Sequence, residues 1–495
     1  MIRLTGLTET QLHRLAADLA LSAKAGDCFA LSGELGAGKT SFARAFIRSL
    51  GEHSMEVPSP TFTIVQQYDE LIVPVSHYDL YRIADPEEME ELGLDDALRD
   101  GVVLVEWPEM APEALPTDAT QIIIENGEIA DELRNVTINN APDHAIQSLA
   151  IRSFLKDNKY AEAKRAHLTG DASSRRYENI TNDSDSYVLM VAPRQPDGPP
   201  IRNGKPYSQL AHLAEDIAPF IVIGTALADN GLRAPEILGF DIEHGFLLLE
   251  DLGGGTIVDA DKMPIADRYI EAAKCLAKMH EANWSPQLSG HGLSHALQDY
   301  DLDVFLMEAS LLTDWFVPAE TGSPLDPKMR EEFETIMSAL WRNLRRDDYT
   351  ILLRDYHSPN IIFDASRIGT DRIGIIDFQD ALWGPAAYDV MSLAHDARVD
   401  IPTDLTMNLV DAYCKSRSSS AFDEGQFRRE ASVCTAQRLC KILGIFHRLN
   451  IRDGKPSYLA HLPRVRGYFE ETLNAEGLEP LADWWRRAGL AEPSS

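Results

Sequence analysis

The sequence predicts two consecutive folds: a small α/β domain, then a larger α+β domain in two lobes. Three observations carry that prediction. The chain has 495 residues, more than one hydrophobic core usually organises. Within the first fifty residues a short apolar strand, a glycine-rich loop and a helix follow one another, the start of an α/β sheet. Beyond Gly255 the apolar periodicity turns mainly helical, whereas strand-like runs precede it.

Taken in order, residues 8–24 predict an amphipathic helix with Leu12, Leu15, Ala16 and Leu19 on one face. Cys28–Leu31 reads as a strand, and Lys39 to about Leu50 as a second helix. Leu71–Val75, Val102–Val105 and Ile122–Ile124 are short, β-branched, strand-like runs. They predict a small sheet ending near residue 140. The polar, proline-containing stretch 139–146 marks a boundary near residue 143, giving domains 1–143 and 144–495. A helix is expected from Ile146 to about His167, then strands at Tyr187–Val191 and Phe246–Glu250. Helices are expected at 264–283, 301–317, 327–346, 403–418, 424–450 and 456–474. The small lobe should span about 144–250 and the large helical lobe about 255–495.

Composition narrows the function. Hydrophobic content of 44% and charged content of 25% are ordinary for a globular protein. The net charge is −32, from 46 Lys+Arg against 78 Asp+Glu. Residues 1–150 hold 9 basic and 26 acidic side chains, or −17 of that total. Neither part has the basic excess that gripping a phosphate backbone needs, so no direct tight nucleic-acid binding is expected. The five cysteines, Cys28, Cys275, Cys414, Cys434 and Cys440, form no C-x-x-C pair, which predicts buried reduced thiols. The opening MIRLTGLTETQ lacks a basic n-region and an apolar h-region. No apolar run approaches the roughly 18–20 residues that span a bilayer. A cytoplasmic protein with no membrane partner is the expectation.

The first motif is Gly33-Glu34-Leu35-Gly36-Ala37-Gly38-Lys39-Thr40, a match to G-x-x-x-x-G-K-[ST] between a strand and a helix. Such a loop turns backbone N–H groups inward around phosphates, and the helix N-terminus adds partial positive charge. Lys39 would reach the β- and γ-phosphates of ATP, and Thr40 would offer a hydroxyl to Mg²⁺. Three further stretches follow: Ser59-Pro60-Thr61-Phe62-Thr63, His77-Tyr78-Asp79-Leu80-Tyr81-Arg82 and Val105-Glu106-Trp107-Pro108-Glu109. This ordered set, over about residues 1–140, resembles the TsaE (YjeE) family of P-loop NTPase fold. That family is the ATPase subunit of the bacterial machinery that makes N6-threonylcarbamoyladenosine at position 37 of tRNA. The resemblance implies Thr40 and Glu106 as the metal pair, Asp79 near the attacking water, Thr61 as a γ-phosphate sensor and Trp107 beside the nucleotide. It places Arg134 near the nucleotide as well, and Arg82 in a structural or partner-facing role. It implies TsaD/TsaB-like subunits as partners.

The second motif joins Leu353-Arg354-Asp355-Tyr356-His357-Ser358-Pro359-Asn360 to Ile375-Ile376-Asp377-Phe378-Gln379-Asp380. Kinase-like phosphoryl transfer divides its labour among such groups. One Asp aligns the acceptor hydroxyl and takes its proton, while an Asn and a second Asp hold Mg²⁺. Asp355, Asn360 and Asp377 suit those roles. With Gly384-Pro385-Ala386-Ala387-Tyr388-Asp389-Val390 downstream, the set resembles the protein-kinase-like superfamily of aminoglycoside phosphotransferases and choline kinases. Leu247–Gly253 resembles its inter-lobe hinge, with Glu250 and Leu252 meeting the adenine through the backbone. The Gly253–Gly255 run reads as hinge flexibility. His357 reads as a loop residue that orients the catalytic segment, and His280, His395 and His447 as structural.

Two departures from the superfamily pattern stand out. Leu353 replaces the usual His of H-G-D, and Met190 stands where a phosphate-binding Lys is expected. Gly170–Tyr177 supplies Ser174, Arg175 and Arg176 in the nucleotide loop instead. That combination resembles the AmgK branch, which phosphorylates the anomeric hydroxyl of N-acetylmuramate and N-acetylglucosamine during cell-wall recycling. A sugar substrate, ATP and Mg²⁺ are thereby implied. An aminoglycoside or choline-like acceptor, or a regulatory pseudokinase, remain as alternatives.

Overall fold

The computed structural model describes residues 1–51, 55–83, 92–127, 132–168, 175–194, 198, 200–202 and 204–491. Contacts divide the chain into two compact units, Met1–Met190 and Val191–Ser495.

The first unit contains a seven-stranded sheet: β1 (Ile2–Leu7), β2 (Cys28–Ser32), β3 (Val65–Tyr68), β4 (Val75–Asp79), β5 (Val102–Glu106), β6 (Thr120–Asn126) and β7 (Arg134–Asn139). The spatial order is β1-β7-β6-β2-β5-β4-β3. Strands β6, β2, β5 and β4 are mutually parallel, and β1, β3 and β7 pair antiparallel at the flanks. The strand expected at Leu71–Val75 starts only at Val75. Pro74 has no N–H for a ladder, and its carbonyl accepts from Val102. Helix α1 (Glu9–Ser22) opens with a capping box: the Thr8 hydroxyl accepts from the Gln11 backbone, and the Gln11 side chain accepts from the Thr8 N–H. Its buried Leu12, Leu15, Ala16 and Leu19 share one core with Phe42, Ala43, Phe46 and Ile47 of α2 (Lys39–Leu50). Helix α3 (Leu94–Asp100) precedes β5.

Helix α4 (Asp143–Asp157) ends ten residues before the expected His167. Lys159 turns the chain at φ +74, and β8 (Lys164–Leu168) then pairs antiparallel with β9 (Arg176–Asn182). Strand β10 (Asp185–Val191) lies on the other side of β9. A buried ionic joint ties these pieces to α1. Asp18 receives Arg152 Nε at 2.7 Å and Arg165 Nη1 at 3.1 Å. Arg165 also forks onto Glu178 at 2.8 and 3.0 Å. Asp18, Arg165 and Glu178 are all buried. Burial opposes the charge of Glu178, yet Arg165 holds its carboxyl below the ordinary range.

The second unit begins with β11 (Pro200–Arg202), β12 (Lys205–Pro206), α5 (Tyr207–Leu210) and α6 (Ala218–Asp229). The hairpin β13 (Ile237–Asp241)–β14 (Phe246–Glu250) follows, then α7 (Ala266–Glu281) and the hairpin β15 (Gln287–Gly290)–β16 (Leu293–Ala296). Helix α8 (Leu302–Leu311) passes through a π-turn into α9 (Val317–Thr321), so the expected 301–317 helix is present with a bulge. Helix α10 (Pro327–Trp341) is capped by Asp326. Two small antiparallel pairs follow, β17 (Tyr349–Leu352) with β20 (Leu382–Pro385), and β18 (Ile361–Phe363) with β19 (Ile373–Ile375). Helices α11 (Ala386–Ala394), α12 (Thr403–Ser416), α13 (Glu424–Asp453), α14 (Leu462–Thr472) and α15 (Glu479–Arg487) complete it. The 30-residue α13 is buried along much of its length and packs on α8 and α11.

The architecture is the predicted α/β part followed by a mixed, then mainly helical, α+β part. All five cysteines are buried free thiols. Among the described residues no helix is long and apolar enough to cross a membrane.

Candidate active sites

The first site lies at the carboxyl ends of β2, β4 and β5, where an open α/β sheet collects its ligands. Gly33 leaves β2 at φ +146, and a Cβ there would stand 2.2 Å from the Ile124 carbonyl oxygen. Only glycine lets the loop start so close to β6. The loop then feeds α2, whose first residue is Lys39.

Parallel register sets Asp79 of β4 directly beside Glu106 of β5. Thr40 Oγ1 donates to Glu106 Oε2 at 2.7 Å, so the predicted metal pair is already in contact. Asp79 accepts from Thr61 Oγ1 at 2.6 Å, from Ser59 Oγ at 3.1 Å and from the Tyr81 N–H at 3.2 Å. Lys39 Nζ donates to the Gly33 and Glu34 carbonyls at 2.7 and 3.0 Å and stands 3.5 Å from the centre of the Trp107 ring. Burial lowers the Lys39 pKa, against the pull of Glu106, Glu109 and Asp79. Trp107 itself sits at φ +60 and packs its ring on Tyr81. These groups line a cavity of about 320 Å³, together with Leu35, Gly36 and Gly38. Arg134 Nε reaches the Ala37 carbonyl at 2.8 Å and so braces the loop from β7. Arg82 stacks on the exposed Phe62 ring.

His77 is a residue whose role the sequence did not disclose. It is fully buried, and its Nε2 lies 2.9 Å from Glu106 Oε1. Glu106 is therefore held between His77 and Thr40, which fixes the carboxylate in one orientation. The period-two alternation of β4 puts His77 and Asp79 on one face, a signal that could have found it.

In the second unit, the β18–β19 hairpin assembles the site. Its register pairs Ile361 with Ile375, and the Ile376 N–H donates to the Asn360 carbonyl at 3.1 Å. Asn360 and Asp377, 17 residues apart, thus meet: Asn360 Nδ2 lies 3.4 Å from Asp377 Oδ2 and 2.9 Å from the Asp355 carbonyl. Asn360 Oδ1 accepts no hydrogen bond among the described residues. Asp377 stands at φ +59, a strained setting that directs its carboxylate, and Gln379 donates to its Oδ1 at 2.9 Å. The Asp355 carboxylate makes no hydrogen bond among the described residues. Burial opposes its charge, but Lys441, His357, Arg354 and Arg438 hold it below the usual range.

Sequence reasoning missed the supports of this loop. Asp389, at the start of α11, accepts the Leu353 and Arg354 N–H groups at 2.7 and 2.8 Å. Arg354, at φ +71, pairs with Glu308 and donates to the Ala211 carbonyl. Lys441 reaches Glu308 at 2.9 Å. Burial works against the Glu308 charge, yet Lys441 and Arg354 bring its carboxyl down to about 2. Asp396 accepts the Ser358 and Arg398 N–H groups. Asp389 lay inside a recognised stretch without a role, while Glu308 is 46 residues from Arg354 and has no local signal.

His357 lies beside Arg398 at 3.4 Å, and burial pushes it down to about 4. His280 bonds Tyr413, His395 packs on Tyr468 and His447 on Phe316, the structural roles expected. Met190 is buried on β10. At the hinge, Glu250 ends β14 and its N–H donates to the Glu236 carbonyl, while the Leu252 carbonyl accepts from Arg233 at 3.3 Å. Gly255 serves close packing rather than flexibility, because a Cβ would lie 1.8 Å from the Phe363 oxygen. Arg175 precedes β9, and Arg176, its first residue, lies 3.4 Å from Glu178. Ser174 and residues 170–173 lie outside the described residues.

The donor sets fit Mg²⁺. A hydroxyl with one carboxylate, or an amide oxygen with one carboxylate, suits an ion that keeps several waters and shares phosphate oxygens. Among the described residues no group of three or more His, Cys, Asp or Glu side chains is placed to hold a metal by itself.

Comparison with known proteins finds two families along the chain. The family profile "Threonylcarbamoyl adenosine biosynthesis protein TsaE" matches residues 7–136, and "Phosphotransferase enzyme family" (APH) matches residues 165–429. The chain is 32% identical over 350 residues to N-acetylmuramate/N-acetylglucosamine kinase of Caulobacter vibrioides, covering 68% of this chain and 94% of that one. It is 31% identical to the Pseudomonas aeruginosa protein of the same name, covering 62% of this chain and 82% of that one. It is 44% identical over 116 residues to tRNA threonylcarbamoyladenosine biosynthesis protein TsaE of Bacillus subtilis, covering 23% of this chain and 70% of that one. The chain therefore belongs to two families at once, the TsaE family over its first part and the phosphotransferase enzyme family over its second.

Proposed function

We propose that this chain is a bifunctional enzyme with a boundary near residue 143. Its first part is the ATPase subunit of the tRNA N6-threonylcarbamoyladenosine machinery, working with TsaD/TsaB-like partners in the cytoplasm. Its second part is an ATP-dependent kinase of the anomeric hydroxyl of N-acetylmuramate and N-acetylglucosamine, serving cell-wall recycling. One observation carries the reading: each unit holds its own hydroxyl- or amide-plus-carboxylate pair, Thr40 with Glu106 and Asn360 with Asp377.

In the first part, Lys39 and the loop N–H groups bind the phosphates, Trp107 flanks the nucleotide and Asp79 orients water, with Thr61 relaying the γ-phosphate state to it. In the second, Asp355 takes the proton of the sugar hydroxyl, and the Glu250–Leu252 backbone receives the adenine. Arg175 and Arg176 serve the phosphates in place of the missing Lys. Mg²⁺ bound at each pair would neutralise developing charge on the phosphates. The experiment is a phosphorylation assay of the full chain with ATP, Mg²⁺ and each sugar, read by phosphorus NMR. A sugar 1-phosphate is expected, and a 6-phosphate rules out the anomeric assignment.

Buried, uncharged Met190 favours a second reading, a regulatory pseudokinase. ATP binding without transfer to any sugar would select it.

A further inference from the structure

We propose that Arg448 is the residue that selects a carboxylate-bearing sugar, by receiving the carboxylate of N-acetylmuramate while Asp355 engages its anomeric hydroxyl. The inference rests on the kinase reading above and adds the acceptor subsite to it.

The argument begins with the spacing on α13. Positions 438, 441, 445, 448 and 452 fall on one stripe of a helix, separated by three or four residues. Four of the five are cationic: Arg438, Lys441, Arg448 and Arg452. Arg438 and Lys441 both act electrostatically on Asp355, so this stripe runs from the catalytic carboxylate outward. The charges of three members are engaged. Lys441 is held by Glu308 at 2.9 Å, Arg438 donates to the His395 carbonyl at 3.2 Å, and Arg452 forks onto Asp453 at 2.6 and 2.8 Å.

Arg448 is different. It is half-buried and forms no ion pair or hydrogen bond among the described residues. Its guanidinium lies 4.7 Å from the centre of the Tyr207 ring, a seat that fixes the cation without neutralising it, while Asp453, forked by Arg452, and Arg452 itself act on it electrostatically with opposite signs. Tyr207 in turn interacts electrostatically with Glu308, Arg354 and Asp355 as well as with Arg448. The tyrosine thus stands between the catalytic loop and the unpaired cation.

A guanidinium held on a ring face with its donors unused is built for a planar oxyanion. The rise from Lys441 to Arg448 is roughly 10 Å, which sets the two cations about two turns apart along α13. N-Acetylmuramate and N-acetylglucosamine differ in one substituent, a lactyl ether with a carboxylate. The anomeric hydroxyl is common to both, so a cation remote from Asp355 is where discrimination would arise.

The test is steady-state kinetics of the full chain with each sugar, read as the ratio of kcat/KM for N-acetylmuramate over N-acetylglucosamine. Arg448→Leu should lower that ratio about ten- to a hundredfold, the scale of a lost charge-assisted hydrogen bond, through KM for N-acetylmuramate. Arg448→Lys should restore part of it. Tyr207→Ala should lower the ratio as well, and Tyr207→Phe, which keeps the ring, should lower it far less. An unchanged ratio in Arg448→Leu, or an equal loss on both sugars, overturns the inference while leaving the kinase intact. Parent enzyme that phosphorylates neither sugar overturns the kinase reading itself and the inference with it.

Discussion

The two sites handle the same kind of ligand by opposite means. In the first, one continuous stretch, β2, the glycine loop and α2, offers main-chain N–H groups, and two parallel strands in register deliver the carboxylates. In the second, a short loop carries Asp355 and Asn360 and is held by side chains from distant segments, Glu308, Asp389 and Asp396, with Lys441 behind Glu308. Main-chain binding is encoded locally, whereas side-chain scaffolding is encoded by the tertiary fold. The first site should therefore fail by loss of a group, and the second also by loss of a support.

The largest predicted effect separates the sites outright. Lys39→Ala should abolish ATP hydrolysis by the first part and leave sugar phosphorylation unchanged, measured on the same preparation with and without sugar. Loss of both activities in a folded protein would end the two-site view. Asp355→Asn is nearly isosteric and should cut sugar phosphorylation by at least about a hundredfold, with ATP binding by calorimetry and ATP hydrolysis retained. Near-parental transfer would remove Asp355 from its role.

A sharper comparison removes a support instead of a reacting group. Arg354→Met leaves buried Glu308 with Lys441 as its one cation among the described residues, beside the neutral donors Tyr300 and Gln437, at a cost of about 3–5 kcal/mol. Denaturant unfolding should register that loss, with transfer falling because Arg354 adjoins Asp355. The equivalent change in the first site, His77→Asn, should cost less stability, since the one hydrogen bond of the His77 side chain among the described residues is to Glu106. It should slow ATP hydrolysis roughly tenfold. Comparable destabilisation by both variants would erase the distinction between the two designs.

The smallest effect is in acid stability. His280, His357 and His395 are pushed by burial from an ordinary 6.5 to about 3, 4 and 4. Below pH 6.5 the unfolded chain gains protons that the folded protein takes up only near pH 4 or lower, so stability falls as pH falls through that window. Buried Asp389, raised to about 7, takes up a proton in the folded state over the same window and offsets part of the loss, so thermal unfolding of the second unit should drop by about 5 °C between pH 7 and pH 5. His395→Gln should shrink the drop, and a pH-independent transition would contradict the burial of these rings.

Legibility in the sequence followed the same division. The Gly33–Thr40 loop and the Asp355, Asn360 and Asp377 set stood out as candidates because fixed spacings mark them, and the β4 and β5 carboxylates because their stretches resemble family motifs. The early end of α4 was not, because helical periodicity continued past the turn at Lys159. The support of Arg354 by Glu308 was unreadable for a deeper reason: a buried ion pair between distant helices and loops leaves no periodic trace. His77 sat inside a recognised motif, yet only register reveals that it faces Glu106.

One feature of the first unit bears on how the polypeptide can be divided. Arg165 belongs to the stretch matched by the phosphotransferase profile, whereas Asp18 belongs to the stretch matched by TsaE, and the two meet in the buried joint with Arg152 and Glu178. Severing the chain near residue 143 would leave Asp18 on one fragment and Arg152 on the other without their carboxylate–guanidinium pair, while Arg165 would keep Glu178 alone. A cut there exposes charges that the uncut chain keeps paired and mostly buried, so a clean division of the polypeptide is expected to need neutral replacements at Asp18 and Arg152 as well.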